Sequence, residues 1–410
     1  MRFSKFNVVT DGQWGSCGKG LIATALADKF KPEVISTTNM ANAGHTSVNE
    51  DGREFIAKAI PSGAALNLWR ENYDPYIIVG SSAAFHLDKL LEEIHHCDVQ
   101  DRFIVHDRAG VITSEHQNTE NDLQEGTKHI ASTMQGCGAF LSDKVMRRKS
   151  LKLARDYKQL TPYLASRFER INLRTPIRFQ NPEARGFEIT EDNKGEAVLP
   201  PVLRDQTSQQ ALPIILKDLL SNGGSILHEG SQGFSLDVNH GSHYPQCTSR
   251  GTTAVQNLAD MGLAANDMGD VYLVIRPYPI RVGNVIENDQ MVGYSGDAYP
   301  GQNELKWADV ASMAGAPPEV MAGELTTVTK RLRRVFEFSE QQLLEAVISN
   351  GATRIALNFA NYIDWSCYGT NNWDELPAKV IDFIYKIEDI AQVPVTTVGT
   401  GPQNNHVCFR

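Results

Sequence analysis

Residues 8–20, V-V-T-D-G-Q-W-G-S-C-G-K-G, constrain the fold more than any other stretch of this sequence. Residues 6–10 are mostly apolar or β-branched, which is typical of a buried strand, and residues 20–30 have the apolar periodicity of a helix. A strand, a glycine loop and a helix in this order place backbone N–H groups and a helix N-terminus against an anion. The stretch therefore predicts the start of an α/β protein with a phosphate-binding site.

The glycine loop departs from the P-loop pattern G-x-x-x-x-G-K-[ST]. Gly12 and Gly18 are separated by five residues rather than four, and Gly20 stands where the P-loop has its hydroxyl residue, after Lys19. The Mg²⁺-binding hydroxyl of an NTPase is thus missing here, although Lys19 can still supply a positive charge to a phosphate. The pattern favours phosphate binding; the alternative is a plain strand-to-helix turn with a solvated lysine.

Apolar runs and helical periodicity alternate along the rest of the chain. The runs predict buried strands at residues 76–79, 103–105, 225–227, 271–275, 354–357 and 393–398. The periodic stretches predict helices at residues 85–95, 209–220, 340–348 and 378–387. This alternation predicts an α/β fold with a mainly parallel central sheet flanked by helices, like that of P-loop NTPases. Residues 107–150 and 230–255 are rich in Gly, Ser, Thr and Asn and are too long for plain connections, so we expect them to be functional loops.

The composition narrows the classes of ligand. The net charge is −10, from 39 basic and 49 acidic residues, so no global positive field favours nucleic acid. No apolar segment is long enough to span a bilayer, and the N-terminus does not resemble a signal peptide. The six cysteines form no C-x-x-C pair, which favours reduced thiols over a structural zinc site. We therefore expect a cytoplasmic protein that binds small molecules and neither nucleic acid nor membrane.

Two polar stretches are candidates for ligand contacts. His45 follows a small Ala-Gly pair in T-T-N-M-A-N-A-G-H-T, residues 37–46, and its ring either faces a ligand or lies on the surface. Gln232 belongs to H-E-G-S-Q-G-F-S-L-D, residues 228–237, which follows a predicted strand. In open α/β sheets the carboxyl ends of the strands face the ligand. The Gln232 amide offers both a donor and an acceptor to a purine edge.

Two further stretches suit anions. C-T-S-R-G-T-T-A, residues 247–254, offers hydroxyls and backbone donors to a phosphate, or is a polar surface turn. E-L-T-T-V-T-K-R-L-R-R, residues 324–334, concentrates basic residues in an otherwise acidic chain. Arg331 and Arg333 would share one face of an extended backbone, and arginine's planar fork suits carboxylates and phosphates. The alternative for this stretch is a solvated basic surface.

Taken in chain order, these stretches resemble the adenylosuccinate synthetase family. The family's patterns and their places here are Q-W-G-D-E-G-K-G at residues 13–20, N-A-G-H-T at 42–46, S-T-x-x-G-x-G at 132–138, D-K-x-x-R at 143–147, E-G-x-Q-G at 229–233, T-S-x-x-T-T-A at 248–254, R-V-G at 281–283 and T-V-T-G-R-x-R-R at 327–334. Lys330 replaces the glycine of the last pattern. The resemblance runs from residue 6 to about residue 402 and implies one domain over residues 1–410.

The resemblance implies a set of functional residues. In this family a nucleoside triphosphate with Mg²⁺ phosphorylates O6 of a purine nucleotide, and the amine of aspartate then displaces the phosphate. The implied catalytic positions are Ser16, Lys19 and His45. The purine nucleotide would be held by Ser16, Asn42, Thr133, Arg147, Gln232, Thr248 and Val282. The triphosphate would be held by Gly15, Gly18, Lys19, Gly20, Gly44, His45, Thr46, Asn358, Asn361, Thr397 and Gly399.

The resemblance also implies the remaining ligands and a partner. Thr329, Arg331 and Arg333 would hold the substrate aspartate. The Gly44 carbonyl would ligate Mg²⁺, with Ser16 at the position of the family's second ligand. Arg147 would reach the purine nucleotide of a neighbouring subunit, which implies a homodimer.

Two departures from the family pattern bear on the substrates. The family's loop aspartate, which removes the N1 proton, is Ser16 here, and the following glutamate is Cys17. A serine hydroxyl is no general base near neutral pH, and losing a base costs ~10²–10⁴-fold in rate. A guanine nucleotide adds a 2-amino group beside N1, for which a shorter, neutral serine leaves room and a hydrogen-bond acceptor. The sequence does not identify another acceptor for the N1 proton; Asp11 is the nearest carboxylate along the chain.

The second departure concerns the phosphate donor. Family members that use GTP have T-K-x-D after a late strand, where this chain has Asn358, Phe359 and Asn361 at the three defined positions. An asparagine cannot supply the paired acceptors that guanine requires, but its amide can serve adenine. Both departures resemble the bacteriophage branch of the family, the 2-aminoadenylosuccinate synthetases, which act on dGMP. This resemblance predicts a ligase for dGMP, L-aspartate and ATP or dATP, in the host cytoplasm if the chain is phage-encoded.

Two alternatives stay open at the level of sequence. The first is a divergent adenylosuccinate synthetase that uses IMP and GTP. The second is a non-catalytic nucleotide-binding homologue that has lost its base.

Overall fold

The computed structural model describes residues 3, 5–71, 73–122, 126–168, 211–326 and 330–410. Its strands are β1 (Lys5–Asp11), β2 (Val34–Thr37), β3 (His45–Val48), β4 (Glu54–Ala57), β5 (Tyr76–Val79), β6 (Ala84–Phe85), β7 (Phe103–Val105), β8 (Gly110–Val111), β9 (Ser225–Glu229), β10 (Met268–Ile275), β11 (Ile280–Arg281), β12 (Val285–Glu287), β13 (Gln290–Gly293), β14 (Glu304–Leu305), β15 (Arg334–Phe336), β16 (Arg354–Leu357), β17 (Val395–Gly399) and β18 (Val407–Phe409). Its α-helices are α1 (Lys19–Phe30), α2 (Leu66–Trp69), α3 (Leu87–His96), α4 (Ser114–Glu120), α5 (Cys137–Val145), α6 (Ala211–Ser221), α7 (Ala254–Asp260), α8 (Trp307–Ala314), α9 (Glu340–Asn350) and α10 (Ala378–Ala391).

A nine-stranded sheet organises the fold, in the order β18-β17-β16-β10-β1-β9-β2-β5-β7. All its neighbouring pairs are parallel except β17 and β18, which are antiparallel. β1 lies in the middle, between β10 and β9. Because parallel strands end at the same edge, the segments that follow β1, β9, β2, β10 and β16 meet at one edge of the sheet.

Helices cover both faces of this sheet, because its strands are apolar on both sides. Alternate residues of one strand enter different cores: Val9 packs in the core with α1 and α3, and Val8 packs in the core with α6 and α7. On the same face as Val8, α9 and α10 cover β16 and β17. Residues 19–27 of α1 are all buried, so this is a central helix that holds the glycine loop against the sheet.

The structure confirms the predicted α/β class and the mainly parallel sheet. The strands predicted at residues 76–79, 103–105 and 354–357 have those bounds in the structure. Three differences stand out: β2 and β18 were not predicted, the strand predicted at 393–398 begins two residues later, and the helix predicted from residue 85 begins at Leu87 because Phe85 belongs to a strand. Pro394 explains the later start, since proline removes a ladder donor.

The two long segments predicted to be functional loops differ in kind. Residues 107–150 contain α4 and α5, so much of this segment is helical. Residues 230–253 contain no α-helix or strand and follow the end of β9. The beginning of the helix predicted at 209–220 lies outside the described residues, and its described part is α6.

Candidate active site

The glycine loop turns sharply between β1 and α1. Gly15, Ser16 and Gly18 all have left-handed backbones, with φ of 83°, 58° and 79°. Glycine adopts this region freely, and a Cβ on Gly18 would lie only 2.0 Å from Asn358 Nδ2. A serine adopts it at a cost, whereas Asn and Asp are enriched there. The backbone at position 16 therefore suits the aspartate of the family pattern better than the serine of this chain.

Asp11 stabilises the conformation of this loop through hydrogen bonds to its backbone. It is fully buried at the end of β1, and its carboxylate accepts the N–H groups of Gln13 at 2.9 Å, Gly15 at 3.2 Å and Cys17 at 3.0 Å. The same carboxylate lies 3.3 Å from Lys19 Nζ. Asp11 is absent from the described lining of the adjoining cavity. Its geometry is that of a residue that shapes the loop and neutralises the lysine.

The loop forms one wall of a cavity of about 370 Å³ at the ligand-facing edge of the sheet. Many residues predicted from the sequence line it together: Gly15, Ser16, Gly18, Lys19, Gly20, Asn42, Gly44, His45, Thr46, Thr133, Gln232, Val282 and Arg333. They come from distant parts of the chain, so the structure assembles one site from the separate motifs.

Lys19 and the predicted purine-binding residues are in direct contact. Lys19 Nζ donates a hydrogen bond of 2.7 Å to the Gln232 carbonyl, and Gln232 Nε2 donates one of 3.3 Å to Asn42 Oδ1. Gln232 has a left-handed backbone with φ of 61°. The glycine loop and the predicted purine site are therefore parts of the same cavity.

His45 is held in the cavity wall by a buried carboxylate. Its Nδ1 is hydrogen-bonded to Glu229 Oε1, and Glu229 Oε2 accepts the Ser62 N–H at 2.8 Å and the Ser62 hydroxyl at 2.7 Å. Burial opposes ionisation of Glu229, but the charge of His45 and these hydrogen bonds outweigh it and hold the pKa of the carboxyl below its usual value. Since Nδ1 is taken by Glu229, Nε2 is the nitrogen through which His45 can act on a ligand.

The two predicted aspartate-binding arginines have different positions. Arg333 lines the cavity, and burial lowers the pKa of its guanidinium. Arg331 instead donates through Nη2 to the Ala131 carbonyl at 2.9 Å and the Ser132 carbonyl at 3.3 Å, next to Thr133 of the cavity wall. Lys330 has φ of 54°, which explains why a glycine suits this position in the family pattern.

The predicted triphosphate residues at the carboxyl ends of β16 and β17 lie beside the loop. Asn358 is nearly fully buried; its Nδ2 donates 3.0 Å to the Cys17 carbonyl, and its Oδ1 accepts the Phe359 N–H at 2.9 Å. Phe359 lines the cavity. Asn361, Thr397 and Gly399 are buried and are absent from the described lining. Asn358 therefore supports the glycine loop in this structure, and the predicted contacts of these four residues with a triphosphate stay predictions.

Three other predicted residues are absent from the described lining of the cavity or lie outside the described chain. Thr248 donates its N–H to the carbonyl of Leu236, a residue of the cavity wall, at 2.7 Å. Arg147 is exposed just beyond the end of α5, where Val145 and Met146 are also exposed. Thr329 lies outside the described residues.

Sequence reasoning missed several residues of the site. Trp14, Leu236, Glu324 and Thr326 also line the cavity, and Glu229 positions His45. Glu229 and Glu324 stood inside stretches already marked as functional, so their carboxylates were available as a signal. Arg276, which follows β10 and contacts Glu324, had no such signal.

The site offers few protein oxygen ligands, so it could hold Mg²⁺ only together with the phosphate oxygens of a bound nucleotide. The described residues contain no group of three or more His, Cys, Asp or Glu side chains that could hold a metal ion. Gly44, whose carbonyl is the predicted ligand, and Ser16 both line the cavity. Mg²⁺ prefers oxygen ligands and often keeps water and substrate phosphates with only one or two protein ligands.

In the described part of the chain, no helix is long and apolar enough to cross a membrane.

The cavity combines a glycine loop, a lysine at a helix N-terminus, an oriented histidine and the partly buried Arg333. Such a set binds phosphates and neutralises charge, as phosphoryl transfer requires, and provides no activated nucleophile of its own. The fold and the site thus define a nucleotide-binding enzyme built on a mainly parallel α/β sheet.

Comparison with known proteins assigns the chain to a family of nucleotide-binding enzymes, in agreement with the fold and the site. The family model described as "Adenylosuccinate synthetase" matches residues 8–366, and the chain belongs to that family. It is therefore an enzyme of the carbon–nitrogen ligase class, and the family and fold predicted from the sequence are confirmed.

The relatives fall into two groups. The chain is 28% identical over 400 residues to the adenylosuccinate synthetase of Methanococcus aeolicus, covering 97% of this chain and 96% of the relative. It is 31% identical over 417 residues to the N6-succino-2-amino-2′-deoxyadenylate synthase of Vibrio phage phiVC8, covering 98% of each. Among solved structures, it resembles the cyanophage S-2L succinoaminodeoxyadenylate synthetase (PurZ) bound to dGMP and to dATP as an energy donor. That likeness has a TM-score of 0.72 and 30% identity, over 100% of this chain and 96% of the other.

Proposed function

We propose that this enzyme joins L-aspartate to C6 of dGMP, driven by ATP or dATP, and produces N6-succino-2-amino-2′-deoxyadenylate for diaminopurine DNA synthesis. One observation carries the proposal: Ser16 lines the cavity beside Lys19, at the position where the family pattern has an aspartate. The names of the phage relative and of the cyanophage structure support the same substrate class.

The argument from Ser16 concerns the edge of the purine. An aspartate at this position would place a carboxylate against the N1 edge, next to which guanine carries its 2-amino group. Serine is shorter and neutral, and its hydroxyl can accept a hydrogen bond from that amino group. A site built to pair with a polar group discriminates strongly against an analogue that lacks it.

The reaction would proceed in two steps. The γ-phosphoryl group of the triphosphate is transferred to O6 of the purine, the nucleoside diphosphate leaves, and the proton on N1 passes to solvent water. The amine of aspartate then attacks C6, and inorganic phosphate departs with O6. Lys19 and His45 would stabilise the charge of the migrating group, while Arg333 would bind an aspartate carboxylate. Mg²⁺, held by triphosphate oxygens and the Gly44 carbonyl, would neutralise phosphate charge.

The proposal that the phosphate donor is an adenine nucleotide is based on the residues that follow β16. Asn358, Phe359 and Asn361 replace the T-K-x-D residues that bind guanine, and Phe359 places an aromatic ring in the cavity wall. An aromatic ring can stack on any base, and an asparagine amide can pair with adenine.

The decisive assay supplies the purified protein with L-aspartate, Mg²⁺ and each of four pairings: dGMP or IMP, with ATP or GTP. We expect phosphate release and a succinylated product with dGMP and ATP. Turnover of IMP with GTP, but not of dGMP, would refute the proposal in favour of an adenylosuccinate synthetase. Thermal stabilisation by the nucleotides without phosphate release in any pairing would instead identify a non-catalytic binding protein.

A further inference from the structure

One buried cation beneath the cavity is not accounted for by the reaction. Arg276 follows β10 directly and is fully buried. Its guanidinium forms a two-pronged ion pair with Glu324, in which Nη1 lies 3.1 Å from Oε2 and Nη2 contacts Oε1. A buried charge of this kind is costly unless it is paired, and pairing alone does not explain why an arginine rather than an apolar residue stands here.

The same guanidinium holds the backbone of the residue that the proposed function depends on. Arg276 Nη1 donates a hydrogen bond of 3.2 Å to the carbonyl of Ser16. Gln13 strengthens the link, because its side chain exchanges two hydrogen bonds of 3.1 Å with the backbone N–H and carbonyl of Arg276. Ser16 has φ of 58°, a conformation that serine adopts at a cost. A charge-assisted hydrogen bond at this carbonyl is strong enough to offset that cost.

The other side of the guanidinium is fixed by aromatic rings. Its Cζ lies 4.0 Å from the centroid of Phe359 and 5.5 Å from that of Tyr362. Tyr362 donates its hydroxyl to Glu324 Oε1 at 3.1 Å, so the carboxylate that faces Arg276 is also fixed. The planar, forked shape of arginine meets these contacts together, and a lysine ammonium would not.

We propose that Arg276 is a positioning residue that holds Ser16 in its left-handed conformation and so sets the direction of the Ser16 hydroxyl toward the 2-amino edge of the purine. Arg276 itself does not line the described part of the cavity. The inference rests on the proposed function, because it assigns to this residue a share in the preference for a 2-aminopurine.

The test compares Arg276→Lys with Arg354→Lys. Arg354 is a matched control on the neighbouring strand: it pairs with Asp270 at 3.0 Å and lies 5.9 Å from the ring centroid of Tyr272. Calorimetry with dGMP and dIMP, which differ only in the 2-amino group, gives the ratio of the two affinities. We expect Arg276→Lys to reduce this preference by about tenfold, the size of one lost hydrogen bond, and Arg354→Lys to leave it unchanged.

Tyr362→Phe supplies a second, milder variant, since it removes only the hydroxyl contact to Glu324. It should reduce the preference in the same direction by a smaller factor, at a temperature where thermal melting shows all variants to be folded. An unchanged dGMP-to-dIMP ratio in Arg276→Lys would overturn the inference, as would an equal loss of affinity for both ligands. Turnover of dGMP by the unmodified enzyme tests the proposed function separately, so the two failures can be told apart.

Discussion

Replacing Ser16 with aspartate is the perturbation that most directly tests the substrate assignment. The backbone at this position is left-handed, with φ of 58°, and aspartate adopts that region more readily than serine. The substitution should therefore cost the fold less than ~1 kcal/mol and leave the melting temperature nearly unchanged. Any large loss of activity would then reflect the cavity, which Ser16 lines, rather than unfolding.

The expected loss follows from what the longer side chain does at the 2-amino edge. It removes the room for the amino group and alters its hydrogen bond, and overpacking or a lost hydrogen bond each cost ~1–3 kcal/mol. With a tenfold change for each ~1.4 kcal/mol, kcat/KM for dGMP should fall by roughly 10- to 100-fold. Because aspartate restores the base of the family pattern, activity toward IMP should rise from its wild-type level.

Ser16→Asn is the matched control, since asparagine has nearly the shape of aspartate, adopts the same backbone and carries no charge. Crowding predicts that both variants lose dGMP turnover, whereas the base argument predicts that only Ser16→Asp gains IMP turnover. Steady-state kinetics with dGMP and IMP, together with thermal melting, measure both effects. A dGMP turnover that rises in Ser16→Asp would refute the space argument, and equal IMP turnover in both variants would refute the base argument.

Three further predictions follow from the contacts. Glu229→Gln should lower kcat by roughly 10²-fold with little change in KM, because His45 loses its carboxylate partner. Glu93→Gln is the control: Glu93 is another buried carboxylate, which accepts backbone N–H groups at 2.9 Å and 3.1 Å, and its replacement should leave kcat unchanged. Lys19→Ala and Arg147→Ala should each be inactive alone, and mixing them should restore activity if Arg147 acts across a homodimer; no restoration after confirmed subunit exchange would refute that arrangement. Burial lowers the pKa of His228 to about 3, so this imidazole stays neutral in the folded protein, whereas in the unfolded chain it binds a proton below pH about 6.5. The free energy of unfolding should therefore fall by up to ~1.4 kcal/mol per pH unit as the pH decreases below about 6.5. Urea unfolding at pH 7.5 and 5.0 measures this fall, and His228→Gln should reduce it.

The parts of the fold that the sequence predicted are those with local signals. Strands β5, β7 and β16 are short apolar runs between polar segments, and their bounds were predicted correctly. β2 was missed because its sequence, V-I-S-T, is half polar, and its serine and threonine are buried through contacts with β9. Such burial depends on a partner strand far along the chain, which periodicity cannot reveal.

The same distinction applies to the site. Motif spacing predicted Lys19 and His45 as site residues, because the glycines and small residues around them form recognisable local patterns, and both line the cavity. The supporting contacts join residues far apart: His45 and Glu229 are 184 residues apart, and Ser16 and Arg276 are 260 apart. These pairs are created by the strand order of the sheet, so a single sequence gives no indication of them.

The two departures in the glycine loop have different physical meanings. Cys17 is fully buried, and its Sγ lies 3.2 Å from Asp11 Oδ1 and 3.1 Å from Gln13 Oε1. Burial, reinforced by the charge of Asp11, raises the pKa of this thiol, so it stays protonated and can donate to Asp11. A glutamate packed in the same place would set a second carboxylate against Asp11, which a buried site does not tolerate without a partner. Cys17 is thus a substitution within the core of the loop, whereas Ser16 faces the cavity. Of the two, only Ser16 is placed to contact a ligand in the cavity. We therefore expect the proposed preference for a 2-aminopurine to depend on Ser16 and on Arg276, which holds its backbone.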